Sequence, residues 1–253
     1  MLCIQSSLLQ SIPHIHHGFF APGDSGRLQN NLSFKRGDAQ AVRDARQAAC
    51  QQIDVPAEAL THVYQEHGVA IHVVDGQHRG AGALDGENHV GAGDGMITRE
   101  AGIPLAVLVA DCLPILIADR SGSMVGIAHA GWRGTLKAIA SQLVQKMQET
   151  YQVQPSDLLA WIGPGISFDY FEVGEDVWAY FMDGWCHYPD CFDAKARCVD
   201  LKALNANQLI EAGLGEDQIE IDESCTMEDE RFYSYRRQGE DCGHNMAVIM
   251  VGS

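Results

Sequence analysis

AVLVADCLPILIAD, residues Ala106–Asp119, is the stretch whose reading decides the fold. Two short runs of Val, Ile and Leu, Leu105–Ala110 and Pro114–Asp119, stand on either side of Asp111-Cys112-Leu113, and Ser121-Gly122-Ser123 follows. Apolar runs this short, bounded by turn residues, predict two buried strand segments with the cysteine at the bend between them, then a tight turn into a third strand over Met124–Ala128. His129 ends that third run. Beyond Ala130-Gly131-Trp132-Arg133-Gly134, the segment Thr135–Tyr151 carries Leu136, Ile139, Leu143 and Met147 on one helical face.

Further out, Asp38–Ile53 is Ala-rich with an acidic start and predicts a helix. Val69–Asp75, Leu158–Ile162, Gln218–Ile221 and Met246–Val251 predict strands, and Glu175–Met182 and Asp200–Ala212 helices. Strands and helices mix without a regular βαβ rhythm, so the expected class is a mixed-sheet α/β, α+β-like layered domain. No linker, low-complexity tract or fixed-period repeat divides residues 1–253, which read as a single domain. Gly91-Ala92-Gly93-Asp94-Gly95 lacks the strand–GxGxxG–helix frame of a dinucleotide site.

The formal charge is −17, from 34 acidic and 17 basic residues. Such a surface repels phosphate backbones and anionic lipid, which argues against nucleic acid and membrane as partners. An anionic substrate needs a local cluster of donors working against that field. Ile103–Ala118 is interrupted by Asp111 and Pro114 and is too short to span a bilayer. The first twenty residues lack the basic start of a secretory signal, so a cytoplasmic protein with reduced thiols is expected. Of the eight cysteines none forms a CxxC, and Cys186, His187, Cys191 and Cys198 fit no common zinc spacing. They read as a variable loop with incidental cysteines.

Cys112 and His129 each stand at the end of a predicted strand, and His67 lies just before another, in Tyr64-Gln65-Glu66-His67-Gly68. Two imidazoles and a thiolate can make a three-ligand zinc site with its fourth position open, which activates water near neutral pH. A lone cysteine beside apolar strands is nonetheless more often packing than ligand. Spacing alone leaves both readings standing. Asp111 and Asp94 are candidates to orient a ligand imidazole by accepting its second N–H. Arg133, at a strand-to-helix junction, is a candidate phosphate donor, with a helix cap as the competing reading.

Several of these segments together resemble a known family. Gln65-Glu66-His67-Gly68, Asp94–Thr98 (DGMIT), Ala106–Asp119, Ala128–Thr135 (AHAGWRGT), Trp161–Ile166 with Phe171–Gly174, Ser224-Cys225-Thr226 and Phe232–Arg237 (FYSYRR) are similar to the bacterial laccase-domain, or polyphenol-oxidase-like (YfiH-like), family. The likeness runs from about His17 to the end of the chain. It implies an α/β fold shared with toxin-like cysteine hydrolases, and one Zn2+ on the residues matching His67, Cys112 and His129. It implies purine nucleosides and phosphate as substrates: phosphorolysis of adenosine, inosine, guanosine and methylthioadenosine, and hydrolytic deamination of adenosine. It also lifts Arg236 and Arg237 to phosphate-binding candidates.

Two departures stand out. Where the family carries an arginine after its paired aromatics, this chain reads Phe19-Phe20-Ala21-Pro22, and Gly243-His244 replaces a usual Gly-Arg. If those arginines bind phosphate, the loss bears on phosphorolysis more than on metal binding; Arg27 and Arg36 are the neighbouring candidates to stand in. Other readings are a copper polyphenol oxidase, a cysteine hydrolase with Cys112 as nucleophile and His129 as base, and a non-enzymatic binding module. Copper can enter such N/S ligands in vitro, but a multicopper centre needs paired histidines, and only His14-Ile15-His16 offers an H-x-H.

Overall fold

Ala106–Asp119 crosses from one sheet to another, and the rest of the architecture follows from that crossing. The computed structural model describes residues 1–25 and 30–252, so Arg27 lies outside the described residues. The strands are β1 (Leu2–Ile4), β2 (Ile15–Ala21), β3 (Thr61–His62), β4 (Ile71–Val73), β5 (Gly95–Thr98), β6 (Leu105–Val109), β7 (Leu113–Asp119), β8 (Val125–Ala130), β9 (Leu158–Ile162), β10 (Phe192–Asp193), β11 (Cys198–Val199), β12 (Ile219–Ile221) and β13 (Asn245–Val251). One mixed sheet has the order β1-β2-β13-β6-β3 and the other β12-β9-β7-β8-β5-β4, while β10 and β11 form a small hairpin. The two strands expected on either side of Cys112 thus belong to different sheets.

Alternation along the central strands sorts their side chains into layers. Leu116 and Ala118 of β7 meet Ile127 of β8, Trp161 of β9, Val107 of β6 and Ile249 of β13 in a core between the two sheets. Ile115 and Ile117 face the other way, onto α4 (Ile139–Tyr151), α5 (Glu175–Trp185) and α6 (Leu201–Glu211). The outer face of the five-stranded sheet is covered by α2 (Ala39–Gln51). Helix, sheet, sheet, helix is the result. A strand buried on both faces shows no polar alternation, which is why β7 reads as a continuous apolar run.

The remaining helices are short: α1 (Ser7–Gln10), α3 (Trp132–Leu136) and α7 (Tyr235–Gln238). The single helix expected over Thr135–Tyr151 is divided between α3 and α4, because Ala138 adopts a left-handed conformation (φ 58°) at the start of α4. Asp38 caps α2 by accepting the Gln40 and Ala41 N–H groups. All eight cysteine thiols are free. Among the described residues no helix is long and apolar enough to cross a membrane.

Arg46 shows how α2 fastens the loops above the sheet. It is 2% exposed and donates to the carbonyls of Leu32, Gly82 and Ala83 at 2.8–2.9 Å, with its guanidinium 4.5 Å from the Phe34 ring centre. Among the described residues no carboxylate pairs with it, and the acceptors it meets are backbone carbonyls. Arg46→Met is expected to destabilise the protein by roughly 3 kcal/mol, since three carbonyls each lose a charge-assisted donor, partly offset by removal of a buried charge. The check is a denaturant midpoint together with hydrogen exchange, which should quicken in both anchored loops.

Candidate metal centre

His67, Cys112 and His129 come together where the two sheets diverge. Their ligand-capable atoms all lie within 4.8 Å of one another, the only such group of three found among the described residues. The register Pro114↔His129 between antiparallel β7 and β8 places Cys112, just ahead of β7, opposite the end of β8. His67 arrives from the segment between β3 and β4, and its ring stands edge-on to His129 with centroids 4.8 Å apart. Tetrahedral donors at about 2.0–2.3 Å from a shared ion stand roughly 3.3–3.6 Å apart, so a pair at 4.8 Å would have to draw in by about 1.2 Å for an ion to bind.

Asp94 builds this arrangement. Fully buried, it accepts Nδ1–H of His129 at 2.7 Å, which leaves Nε2 as the ring nitrogen that can act as a ligand once its proton is lost. The same carboxylate accepts the backbone N–H groups of Glu66, His67 and Gly68 at 3.3, 3.1 and 2.5 Å. Those bonds hold His67 at φ 61°, a left-handed conformation that an unsupported histidine rarely adopts. Burial alone would raise the Asp94 carboxyl, but the His129 imidazole and these N–H groups hold it below the usual range.

Gly131 supplies the space. A Cβ there would stand 3.0 Å from Cys112 Sγ and 3.1 Å from His67 Cδ2. Any side chain would therefore fill the volume in which an ion would sit. In the sequence Gly131 stands as part of the strand-to-helix junction, and its position two residues after His129 is the one local signal of its role.

Asp111 does not reach an imidazole. It sits at φ 85°, and its carboxylate accepts Thr226 Oγ1–H at 2.7 Å and the Arg236 backbone N–H at 2.6 Å. It turns the chain from one sheet into the other, so the expected choice between Asp94 and Asp111 falls to Asp94 alone. Arg237 spends its guanidinium on the carbonyls of Thr226, Met227, Asp229 and Phe232. Arg236 donates to those of Tyr170 and Glu172 and borders a separate groove of about 690 Å3. Both arginines thus brace the C-terminal segment through backbone carbonyls. Arg133 is exposed, with its guanidinium 4.1 Å from the Trp132 ring centre. Cys186, Cys191 and Cys198 join no metal-capable group among the described residues.

Fold and donor set together define a layered α/β protein with a His–Cys–His site suited to a metal ion at the seam of two sheets. The chain belongs to the multi-copper polyphenol oxidoreductase laccase family, whose pattern matches residues 24–252. It is 34% identical over 230 residues to the purine nucleoside phosphorylase YlmD of Bacillus subtilis (strain 168), covering 88% of this chain and 81% of that one. Adenosine deaminase RL5, from an unknown prokaryotic organism, is 32% identical over 226 residues, covering 87% and 86%. The crystal structure of YlmD from Geobacillus stearothermophilus superposes with a TM-score of 0.88 at 31% identity, covering 96% and 94%.

With no ion bound, Cys112 and His129 form a charged pair. Burial opposes a thiolate, but the His129 imidazolium and hydrogen bonds from both imidazoles outweigh it and draw Cys112 down to about 6. Burial likewise opposes a charged His129, yet the Cys112 thiolate and Asp94 lift it to about 9. These shifts are one interaction seen from either partner. The depressed Cys112 stabilises the fold in alkali and loses that contribution as pH falls through about 6; the raised His129 stabilises it in acid and loses its contribution as pH rises through about 9. Metal-free protein should accordingly show thiolate absorbance rising with a midpoint near pH 6, absent in Cys112→Ser. A midpoint in the ordinary thiol range, about 8.5, would mean that the pair does not form.

Proposed function

We propose that this protein is a zinc-dependent purine nucleoside enzyme, catalysing phosphorolysis of adenosine, inosine, guanosine and methylthioadenosine and hydrolytic deamination of adenosine. The observation that carries the reading is the open His67–Cys112–His129 donor set oriented by Asp94, in a chain about one-third identical to proteins named for these two activities. Zinc, when bound, supplies Lewis acidity and a water activated near neutral pH.

The chain's own residues would divide the remaining work. Asp94 fixes the His129 tautomer, and Gly131 keeps the approach open. In deamination water attacks purine C6 and ammonia leaves; in phosphorolysis a phosphate oxygen attacks C1′ and the bond to the base breaks. Tyr64, 55% exposed and three residues before His67, offers an aromatic face to a purine, with His89 edge-on to it at 5.9 Å. Arg133, exposed on the first turn of α3, is a cation available to phosphate from the helix side.

A second reading has one observation behind it. The Asp94–His129–Cys112 chain, with its thiolate drawn down and its imidazole raised, has the parts of a cysteine hydrolase when metal is absent. Metal content separates the two readings, because a coordinated thiolate is no longer a free nucleophile.

Protein purified without added metal should carry about one zinc per chain. Cys112→Ser should lose metal and turnover together, while Cys191→Ser keeps both. Full zinc occupancy in Cys112→Ser would overturn the ligand assignment. Zinc-only protein should not oxidise catechols, since zinc has no accessible redox change; oxidation by copper-free protein would point to different chemistry.

The reaction itself is tested by chromatography of adenosine with and without phosphate, scoring adenine, inosine and hypoxanthine separately. Inosine should form in either buffer and adenine only with phosphate. No turnover of any purine nucleoside by fully zinc-loaded protein would overturn the nucleoside-enzyme reading.

A further inference from the structure

The segment ahead of α2 and the residue ahead of β13 are tied together beside the metal-ligand trio. Asn31, 3% exposed, accepts the His244 backbone N–H through Oδ1 at 3.0 Å and donates through Nδ2 to the carbonyls of Ser33 and Arg36 at 2.8 and 2.6 Å. Ser33 Oγ accepts the Lys35 N–H at 3.2 Å, and the Leu32 N–H donates to the His244 carbonyl at 3.3 Å. One buried amide thus closes the turn that carries Lys35 and Arg36 and fixes it against His244. The β13–β6 register, Asn245↔Val109, sets His244 level with the stretch that leads into Cys112. Lys35 Nζ stands 5.9 Å from the centre of the Tyr64 ring, on the segment that leads into His67.

Among the described residues neither Lys35 nor Arg36 has a carboxylate partner. In a chain of net charge −17, two adjacent uncompensated cations near a metal-ligand trio form a local positive island. His244 completes it. Neither of its ring nitrogens is hydrogen-bonded among the described residues, and Nδ1 is sealed from solvent. The exposure that the ring retains is therefore at its outer edge, where Nε2 lies. Burial, together with Lys35, His129 and Arg36, pushes this imidazole down to about 4, so it is neutral near pH 7 and adds no charge repulsion to its neighbours. A neutral imidazole with a buried Nδ1 is best protonated on Nε2, because a sealed N–H without an acceptor is the costlier orphan.

We propose that Lys35, Arg36 and His244 form a subsite for an oxyanion of the phosphate class beside His67, Cys112 and His129. The two cations match a phosphate dianion, and the imidazole adds a directed donor. The use of the subsite in phosphorolysis rests on the nucleoside-enzyme reading above; its affinity for phosphate does not. The same chemistry would hold free inorganic phosphate or a phosphate carried on a nucleotide.

The test is titration calorimetry on zinc-loaded protein with inorganic phosphate, adenosine 5′-monophosphate and adenosine, for the unaltered chain, the double variant Lys35→Gln/Arg36→Gln, His244→Leu and Arg133→Ala. Zinc content and circular dichroism serve as folding controls. The double variant should bind phosphate about tenfold more weakly or worse, with adenosine binding unchanged. His244→Leu should lose severalfold, and Arg133→Ala less than the double variant. Free phosphate is the ligand if phosphate itself shows the loss; a phosphorylated nucleoside is the ligand if the advantage of the monophosphate over adenosine disappears instead. Phosphate and monophosphate affinities within twofold of the unaltered chain in the double variant, or a greater loss in Arg133→Ala, would overturn the subsite. Nucleoside turnover is scored in parallel. Lost phosphate binding without turnover in the unaltered chain removes the enzymatic reading and leaves the subsite. Phosphorolysis with an unchanged KM for phosphate in the double variant does the reverse.

Discussion

One buried carboxylate holds the site together. Asp94 has no exposed surface, yet it takes hydrogen bonds from three consecutive backbone N–H groups and from His129. A buried carboxylate is tolerable only when its lone pairs are filled by such donors. Filling them forces the chain at His67 into a left-handed conformation and fixes the His129 ring. The geometry of two of the three potential ligands is therefore the by-product of satisfying one charge. The acid lies just ahead of β5, whose pairing with β8 fixes its position relative to His129.

The two-sheet core explains why such a site can stand at a seam. Central strands buried on both faces leave no room for polar groups, so chemistry is displaced to strand ends where the sheets part. Asp111 is the pivot. Its left-handed backbone turns the chain from β6 into β7, and its carboxylate ties that turn to Thr226 and Arg236, far along the chain. The C-terminal segment is thereby a brace for the turn that presents Cys112, and Arg236 and Arg237 belong to that brace.

Charge divides the molecule unevenly. The surface is strongly acidic overall, while the rim formed by the Asn31 turn and His244 carries Lys35 and Arg36, which have no carboxylate partner among the described residues. Long-range repulsion disfavours polyanions, whereas a small anion that reaches the rim meets short-range donors at close quarters. The anchoring of that rim through Asn31 and Arg46 relies on backbone carbonyls and N–H groups, so it holds the loops in place without neutralising Lys35 or Arg36.

By itself the sequence determined a good deal. The bounds of β9 match the Leu158–Ile162 run, and α2 starts where Asp38 offers a cap, because burial periodicity and capping are local properties. The convergence of His67, Cys112 and His129 was legible from motif resemblance and strand-end placement. Tertiary structure alone decided that Ala106–Asp119 serves two sheets, since an apolar run reports burial but not its partners. It decided that Asp94 rather than Asp111 meets the imidazole, because both are acids near strand ends and only distant donors fix where each points. It committed Arg236 and Arg237 to backbone carbonyls and set His244 beside Lys35. Hydrogen bonds between segments far apart in the chain leave no periodic trace, and those bonds are what shaped the site.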